Sequence, residues 1–321
     1  MELSAVKAAM KGVTIVQTTP FNKDGSLDLE GMRANTRWLL ERTAGKDFVL
    51  TPLGTTGEFY SMSDDERKAV IKMVVEEAKG KNVVMAGGVG RPGTRETIKM
   101  CQYAESVGAD GVQVILPYYM IPTEEGMYEH YKQVAASVNI GVLVYNYPAV
   151  SGSWVKPHLM AKISKIPNII AAKENTPSIA SYYAMRKAVD PKDAAVLSGL
   201  AEFFYSMQSL YGSPGFVSGT ANFAPDLSYS VYEAVSAGDF GKAADIVRFL
   251  DPFFSFNGKV TANHGPHTGA GLDGGIMSVA VTKAAMDIVG LRGGEIRLPL
   301  VGLTDKEKTE LKEILVKMNL A

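Results

Sequence analysis

Short apolar runs alternate with longer segments of helical periodicity along the chain. The apolar runs are "VTIVQTTP" (13–20), "DFVLTPLG" (47–54), "NVVMAGG" (82–88), "GVQVILPYY" (111–119), "GVLVYNYP" (141–148), "NIIAAKEN" (168–175), "AAVLSGL" (194–200) and "GFVSGTAN" (215–222). Most are rich in Val, Ile and Leu without strict alternation. Strands covered on both faces have this pattern, as in a parallel sheet. The segments between them read as amphipathic helices. "SDDERKAVIKMVVEEAKG" (63–80) has a capping Ser63, early acids, an apolar stripe and a closing glycine. "GTRETIKMCQYAESVG" (93–108) and "TEEGMYEHYKQVAASV" (123–138) behave alike. Eight strand–helix units of roughly 25–35 residues predict a (β/α)8 TIM barrel. Near-equal units without a separate second domain favour it over a doubly wound sheet.

Beyond the eighth run the pattern changes. Residues 226–256 read as two helices broken at "AGD", and 274–290 and 304–318 as two more. The expected division is a catalytic barrel over 1–235 and a helical C-terminal extension over 236–321.

Barrel chemistry sits at the C-terminal ends of the strands. The polar residues expected there are Thr55 and Thr56, Tyr118 and Tyr119, Tyr145 and Asn146, Lys173, and Ser218, Thr220 and Asn222. Lys173 stands out, because lysine is almost never buried without a partner. Side chains alternate along a strand. If Ile169, Ala171 and Lys173 face inward, Glu174 points away from the amine. Near pH 7.4 only about one ordinary lysine in a thousand is neutral. Desolvation makes the neutral form common, and a neutral amine attacks a carbonyl to give an imine. Tyr145, Thr55 or Thr56, and Tyr119 offer hydroxyls for proton transfer. The "GTTG" turn, which includes Gly54, offers backbone amides for a carboxylate. Each feature has a plain structural reading as well: a snorkelling lysine, a packing tyrosine, a capping threonine. Their coincidence at one end of a barrel favours a site for a 2-oxo acid.

Composition narrows the choice. The 321 residues carry 33 Lys+Arg against 34 Asp+Glu, a net charge of −1. That balance gives no sign of a nucleic-acid or membrane-surface partner. The single cysteine, Cys101, rules out an intramolecular disulfide and fits a reducing compartment. No signal-peptide pattern and no apolar run of ~18 residues is present, so a cytoplasmic protein is expected. "GGVGRPG" (87–93) lacks the full dinucleotide-binding glycine pattern. "NHGPHTG" (263–269) offers two histidines where a metal site usually needs three or four ligands, so no metal is expected.

Taken in order, "TTPFNKDGSLDLEG", "GTTGEFYSMSDDER", "LPYYMIPTEEGMYEHY", "YNYPAVSG", "AAKENT" and "SGTANFAP" resemble the dihydrodipicolinate synthase / N-acetylneuraminate lyase family of pyruvate-linked class I aldolases. The resemblance spans almost the whole chain. It implies that Lys173 forms the imine and Tyr145 shuttles the proton. Thr55 would relay that proton between Tyr145 and Tyr119, the latter often donated by a neighbouring subunit. It also implies that Thr56 and nearby amides hold the pyruvate carboxylate and that Gly199 and the Val217 backbone line the pocket. No cofactor is implied beyond the covalent imine, and the family is usually tetrameric, a dimer of dimers.

One departure bears on the substrate. Dihydrodipicolinate synthases carry an arginine for the aldehyde's carboxylate in the segment after the catalytic tyrosine. Val150 stands at that place, and Arg is suited to a carboxylate in a way that Val is not. The strand-7 segment has Ala201 where sialate lyases tend to carry an acid, although Glu202 remains as a candidate for sugar hydroxyls. The expected function is therefore aldol cleavage or condensation of a 2-keto-3-deoxy or 4-hydroxy-2-oxo acid, with pyruvate as one partner. The alternatives are dihydrodipicolinate synthase itself and a 2-keto-3-deoxy-acid dehydratase working through the same imine.

Overall fold

The computed structural model describes residues 1–265 and 277–321. The eight runs form eight parallel strands: β1 (Gly12–Gln17), β2 (Phe48–Pro52), β3 (Val83–Ala86), β4 (Gly111–Ile115), β5 (Gly141–Asn146), β6 (Ile169–Glu174), β7 (Ala195–Ser198) and β8 (Gly215–Ser218). They close in sequence order, β8 pairing back onto β1. Each run overshoots its strand at the C-terminal end. Pro20, Pro117 and Pro148 lie in three of these tails, and proline has no N–H to continue a ladder. The tails leave the sheet and build the mouth of the barrel.

The helices are α1 (Leu3–Ala8), α2 (Leu29–Arg42), α3 (Asp64–Ala78), α4 (Thr94–Ser106), α5 (Glu124–Ala136), α6 (Pro148–Ser151), α7 (Pro157–Ile163), α8 (Ile179–Ala188), α9 (Ala201–Gln208), α10 (Pro225–Ser236), α11 (Phe240–His264), α12 (Ser278–Ile288) and α13 (Asp305–Lys317). The start signals in the sequence are real caps. Ser63 and Glu66 form a reciprocal capping box, and Thr123 accepts from the Gly126 N–H. α1 lies at the other end of the barrel from the mouth, with Val6 against Gly141 at the start of β5.

The register between β5 and β6 shifts once. Val142 pairs with Ile169, but Leu143 pairs with Ala171, so Ile170 is an extra residue. The shift sets Tyr145 directly beside Lys173 and Asn146 beside Glu174. Without it Tyr145 would pair with Ala172, and Lys173 would fall on the opposite face.

The break at "AGD" is where α10 ends and α11 begins, with Asp239 capping the new helix through the Lys242 N–H. α11 then runs to His264, past the expected end at 256. The helix expected over 274–290 is described from Ser278 to Ile288. α11, α12 and α13 share a second core, containing Leu250, Phe253, Val281, Ala285, Leu311 and Leu315, which Phe223 and Ala224 from the segment after β8 join.

Leu311 is fully buried in this second core. Leu311→Ala is expected to lower stability by about 2–5 kcal/mol, read as a shifted midpoint in urea unfolding.

Candidate active site

A cavity of about 700 Å³ opens at the C-terminal end of the barrel, and Lys173 is the only charged side chain among its described lining residues. β6 delivers Lys173 to the wall, β5 delivers Tyr145, and the tight turn over 55–57 that follows β2 delivers Thr55 and Thr56. Lys173 is 4% exposed. No ion-pair partner for it is found among the described residues. Its Nζ stands 4.0 Å from the centroid of the Tyr145 ring. A ring face attracts a cation, but burial without a countercharge outweighs that and lowers the lysine pKa to about 7.

Tyr145 has the opposite environment for its own charge. Burial raises the phenol pKa, Tyr147 raises it further, and the Thr55 hydrogen bond opposes them. Thr55 Oγ1 and Tyr145 Oη are 3.4 Å apart, a long hydrogen bond. The site thus holds a neutral phenol and an amine close to neutral side by side, with a second hydroxyl in line.

Glu174 does point away from Lys173, but into the packed layer and not to solvent. It is fully buried, accepts from Asn146 Nδ2 at 2.7 Å and from the Thr176 N–H at 3.0 Å, and burial raises its pKa. The sequence-predicted Thr56, Gly199, Val217 and Val150 all line the cavity. Gly199 permits a close approach, since a Cβ there would sit 1.8 Å from Asn175 Oδ1. Gly54 lies behind the turn, where a Cβ would strike Val16.

Tyr118, Asn146, Ser218 and Asn222 are not among the cavity's lining residues, and neither are Tyr119 and Glu202. Tyr119 is 82% exposed and does not line the cavity of the single chain, so no Thr55–Tyr119 relay forms within it. Glu202 does not face the cavity either. Ala201 takes a left-handed backbone (φ 60°) at the start of α9 and itself lines the wall. Glu202 is completely buried behind it, accepting from Ser218 Oγ at 2.6 Å, Ser228 Oγ at 2.5 Å and Thr220 Oγ1 at 3.5 Å. Burial raises its pKa. It therefore ties β8 to α9 and α10 and has no access to a sugar hydroxyl.

The wall also contains residues not named from the sequence. Tyr60, Tyr147 and Asn175 lie inside the quoted motifs, two to four residues beyond Thr56, Tyr145 and Lys173, so their place was open to inference. Phe253, Asn257 and Thr282 come from α11 and α12, and no local signal marks them. The Oδ1 atoms of Asn175 and Asn257 are buried with no partner among the described residues, leaving two acceptors for a bound molecule.

Gly87, Gly88 and Gly90 of "GGVGRPG" serve packing. A Cβ at Gly87 would sit 2.7 Å from the Pro52 carbonyl oxygen, so this loop presses on the end of β2. His264 bonds Glu307 at 2.9 Å, while His267 lies outside the described residues. Among the described residues no three His, Cys, Asp or Glu side chains cluster as a metal site, and no helix is long and apolar enough to cross a membrane.

Residues 9–264 match the model of the dihydrodipicolinate synthetase family. The chain is 33% identical over 309 residues to a 4-hydroxy-tetrahydrodipicolinate synthase of Methanothrix thermoacetophila, covering 96% of this chain and 97% of the relative. The crystal structure of dihydrodipicolinate synthase from Aquifex aeolicus superposes with a TM-score of 0.84 at 30% identity, covering 97% of this chain and 98% of that one. A prophage protein of the dihydrodipicolinic acid synthase family from E. coli K12, solved in complex with pyruvate, gives a TM-score of 0.84 at 30% identity, with 97% and 99% covered. The chain belongs to the dihydrodipicolinate synthetase family. Its members are class I aldolase-type lyases that join a lysine to pyruvate as an imine, with no metal or separate cofactor.

With the Lys173 pKa near 7, the attacking neutral amine grows as pH rises. The initial rate of cyanoborohydride-trapped pyruvate adduct is expected to climb about tenfold from pH 6 to pH 8 and then level off. A rate still rising in proportion to hydroxide at pH 9 would mean an ordinary, solvated lysine.

Proposed function

We propose that Lys173 is the imine-forming residue of a lyase that makes or breaks a carbon–carbon bond next to pyruvate. The observation that carries this is the buried amine beside Tyr145, with no countercharge among the described residues. Neutral Nζ attacks C2 of the 2-oxo acid, giving a carbinolamine. Tyr145 donates a proton to the departing hydroxyl, which leaves as water, and the imine forms. In condensation, loss of a C3 proton to the Tyr145 oxygen gives an enamine, whose C3 attacks the aldehyde carbon. Cleavage is the same path reversed, and water then releases the product from Lys173. Thr55 relays the proton to and from Tyr145. Thr56 and the turn amides hold the carboxylate, and Gly199 and Val217 flank it.

The cavity far exceeds what pyruvate needs, and Val150, Leu200, Phe204 and Phe253 give it apolar surface. We therefore propose an aldehyde partner without a charged group, held by shape and by neutral acceptors such as Asn257. The relatives' names support a second reading, condensation with aspartate semialdehyde. Val150 at the arginine position weighs against it, because nothing else charged among the described lining residues would meet a second carboxylate. A dehydratase would use the same imine to expel a hydroxyl, and product analysis separates it by the absence of pyruvate.

We further propose that residues 1–235 form the catalytic barrel and 236–321 an extension that completes its wall, in a cytoplasmic homotetramer. Exposed Tyr119, Met120, Ile121 and Trp154 supply one apolar face; Phe203, Leu210 and Tyr211 supply another. Sedimentation equilibrium should give four times 34.5 kDa, and a monomer at micromolar concentration would sink the tetramer.

Lys173→Ala should abolish the trapped adduct, and Tyr145→Phe should slow turnover on the order of 100-fold or more while leaving the fold intact. In an aldehyde screen with pyruvate, neutral aldehydes should surpass aspartate semialdehyde. Val150→Arg should narrow that gap at least roughly tenfold. Efficient turnover of aspartate semialdehyde by the unaltered protein would establish the second reading instead.

A further inference from the structure

Outside the reacting groups, another lysine is buried as deeply as Lys173. Lys283 on α12 is 1% exposed, and its partner Glu58 is 0% exposed. Nζ lies 2.6 Å from Glu58 Oε1 and donates also to the carbonyls of Thr19 at 2.9 Å and Glu295 at 2.5 Å. Three acceptors satisfy its three protons. The second carboxylate oxygen, Oε2, takes the Arg297 N–H at 3.2 Å. Glu58 is thus fixed in direction as well as in charge.

Glu58 immediately follows the Thr55–Gly57 turn, and its own backbone is left-handed (φ 53°, ψ 32°). A glutamate does not adopt that region readily, so something must hold it there. Its N–H closes the turn on the Thr55 carbonyl at 3.1 Å. Thr19, whose carbonyl receives Lys283, donates its hydroxyl to the Gly57 carbonyl at 2.8 Å. The lysine therefore grips both the residue that ends the turn and the strand tail beneath it. Replacing a buried ion pair by apolar residues of similar volume is often neutral or stabilising. Stability alone does not call for this pair; a fixed backbone geometry at the turn does. α12 also places Ser278, Val279 and Thr282 in the cavity wall, so the same helix holds the turn and forms part of the pocket wall.

We propose that Lys283 is a positioning residue for the reaction: through Glu58 it fixes the turn that presents Thr55 to Tyr145 and Thr56 to the pyruvate carboxylate. This rests on the reading of that turn as the carboxylate holder. Lys283 touches neither substrate nor the reacting atoms.

The test measures half-saturating pyruvate in the trapping assay, and kcat, for Glu58→Gln, Lys283→Met and the doubly neutral Glu58→Gln/Lys283→Met, at a temperature where circular dichroism shows each folded. Leu311→Ala, in the second core, is the control for lost stability alone. The expected result is a rise of tenfold or more in half-saturating pyruvate for Lys283→Met, with a smaller fall in kcat. The double variant should recover thermal stability but not pyruvate affinity, and Leu311→Ala should melt earlier with unchanged half-saturation. If Lys283→Met does not fold, the double variant and Glu58→Gln carry the test. Unchanged pyruvate half-saturation in the folded double variant would overturn the proposal and leave the pair a purely structural tie. A parent protein that traps no pyruvate would instead overturn the functional reading on which it rests.

Discussion

The site depends on an amine kept dry and without a countercharge. A carboxylate close to Lys173 would hold it as an ammonium and end its nucleophilicity. The nearest carboxylate in sequence, Glu174, is denied to it by strand alternation and by its own bonds to Asn146 and Thr176. Lys283 meets a different environment in the same molecule: burial lowers its pKa too, but Glu58 opposes that shift. It is buried as deeply, but a carboxylate and two carbonyls surround it. One buried lysine has no ion-pair partner among the described residues and the other is tied to three acceptors. What separates them is the set of acceptors each meets, since depth of burial is nearly equal.

Desolvation moves the amine and the phenol in opposite senses. It lowers Lys173 toward neutral pH and raises Tyr145 away from it. Both groups are thereby driven to their uncharged forms, which is what carbinolamine formation and dehydration need: a lone pair to attack and a proton to give. The bulge at Ile170 matters because these two effects must act at adjacent positions. Slipping the β5–β6 pairing by one residue would leave both groups buried but on opposite faces.

The barrel was legible in the sequence because its strands are covered on both faces and read as unbroken apolar runs. Their C-terminal ends were not legible, since the same residue types continue into the mouth. Lys173 could be placed because alternation along its strand fixes its face, whereas Tyr145, Thr55 and Thr56 were marked by their places at strand ends and by the motifs that contain them. Glu202 was misplaced for a local reason. The left-handed Ala201 takes the wall position, and Glu202 after it turns into the Ser218 and Ser228 hydroxyls. Tyr119 could be located on its tail but not brought to Thr55, because one chain does not supply that contact. Lys283 and Glu58 are 225 residues apart, and Asn257 and Thr282 lie on ordinary amphipathic helices. Nothing local distinguishes such residues from core positions.

The contribution of α11 and α12 to the wall bears on selectivity. Lys173, Tyr145, Thr55 and Thr56 come to the cavity from strands and strand tails, which a closed barrel holds rigidly. Phe253, Asn257 and Thr282 complete the wall from helices whose own core is separate and meets the barrel at Phe223 and Ala224. Apolar contacts discriminate weakly between similar ligands, by about 1–3 kcal/mol per methylene, whereas a buried group left unpaired discriminates strongly. A wall that is mostly apolar should therefore accept a range of aldehyde bodies. The unpaired Oδ1 of Asn257 then becomes the sharper selector: an aldehyde that brings a hydroxyl to it fills a buried acceptor, and one that brings only carbon leaves that acceptor stranded. Choice among neutral aldehydes is thus expected to follow hydroxyl placement more closely than size.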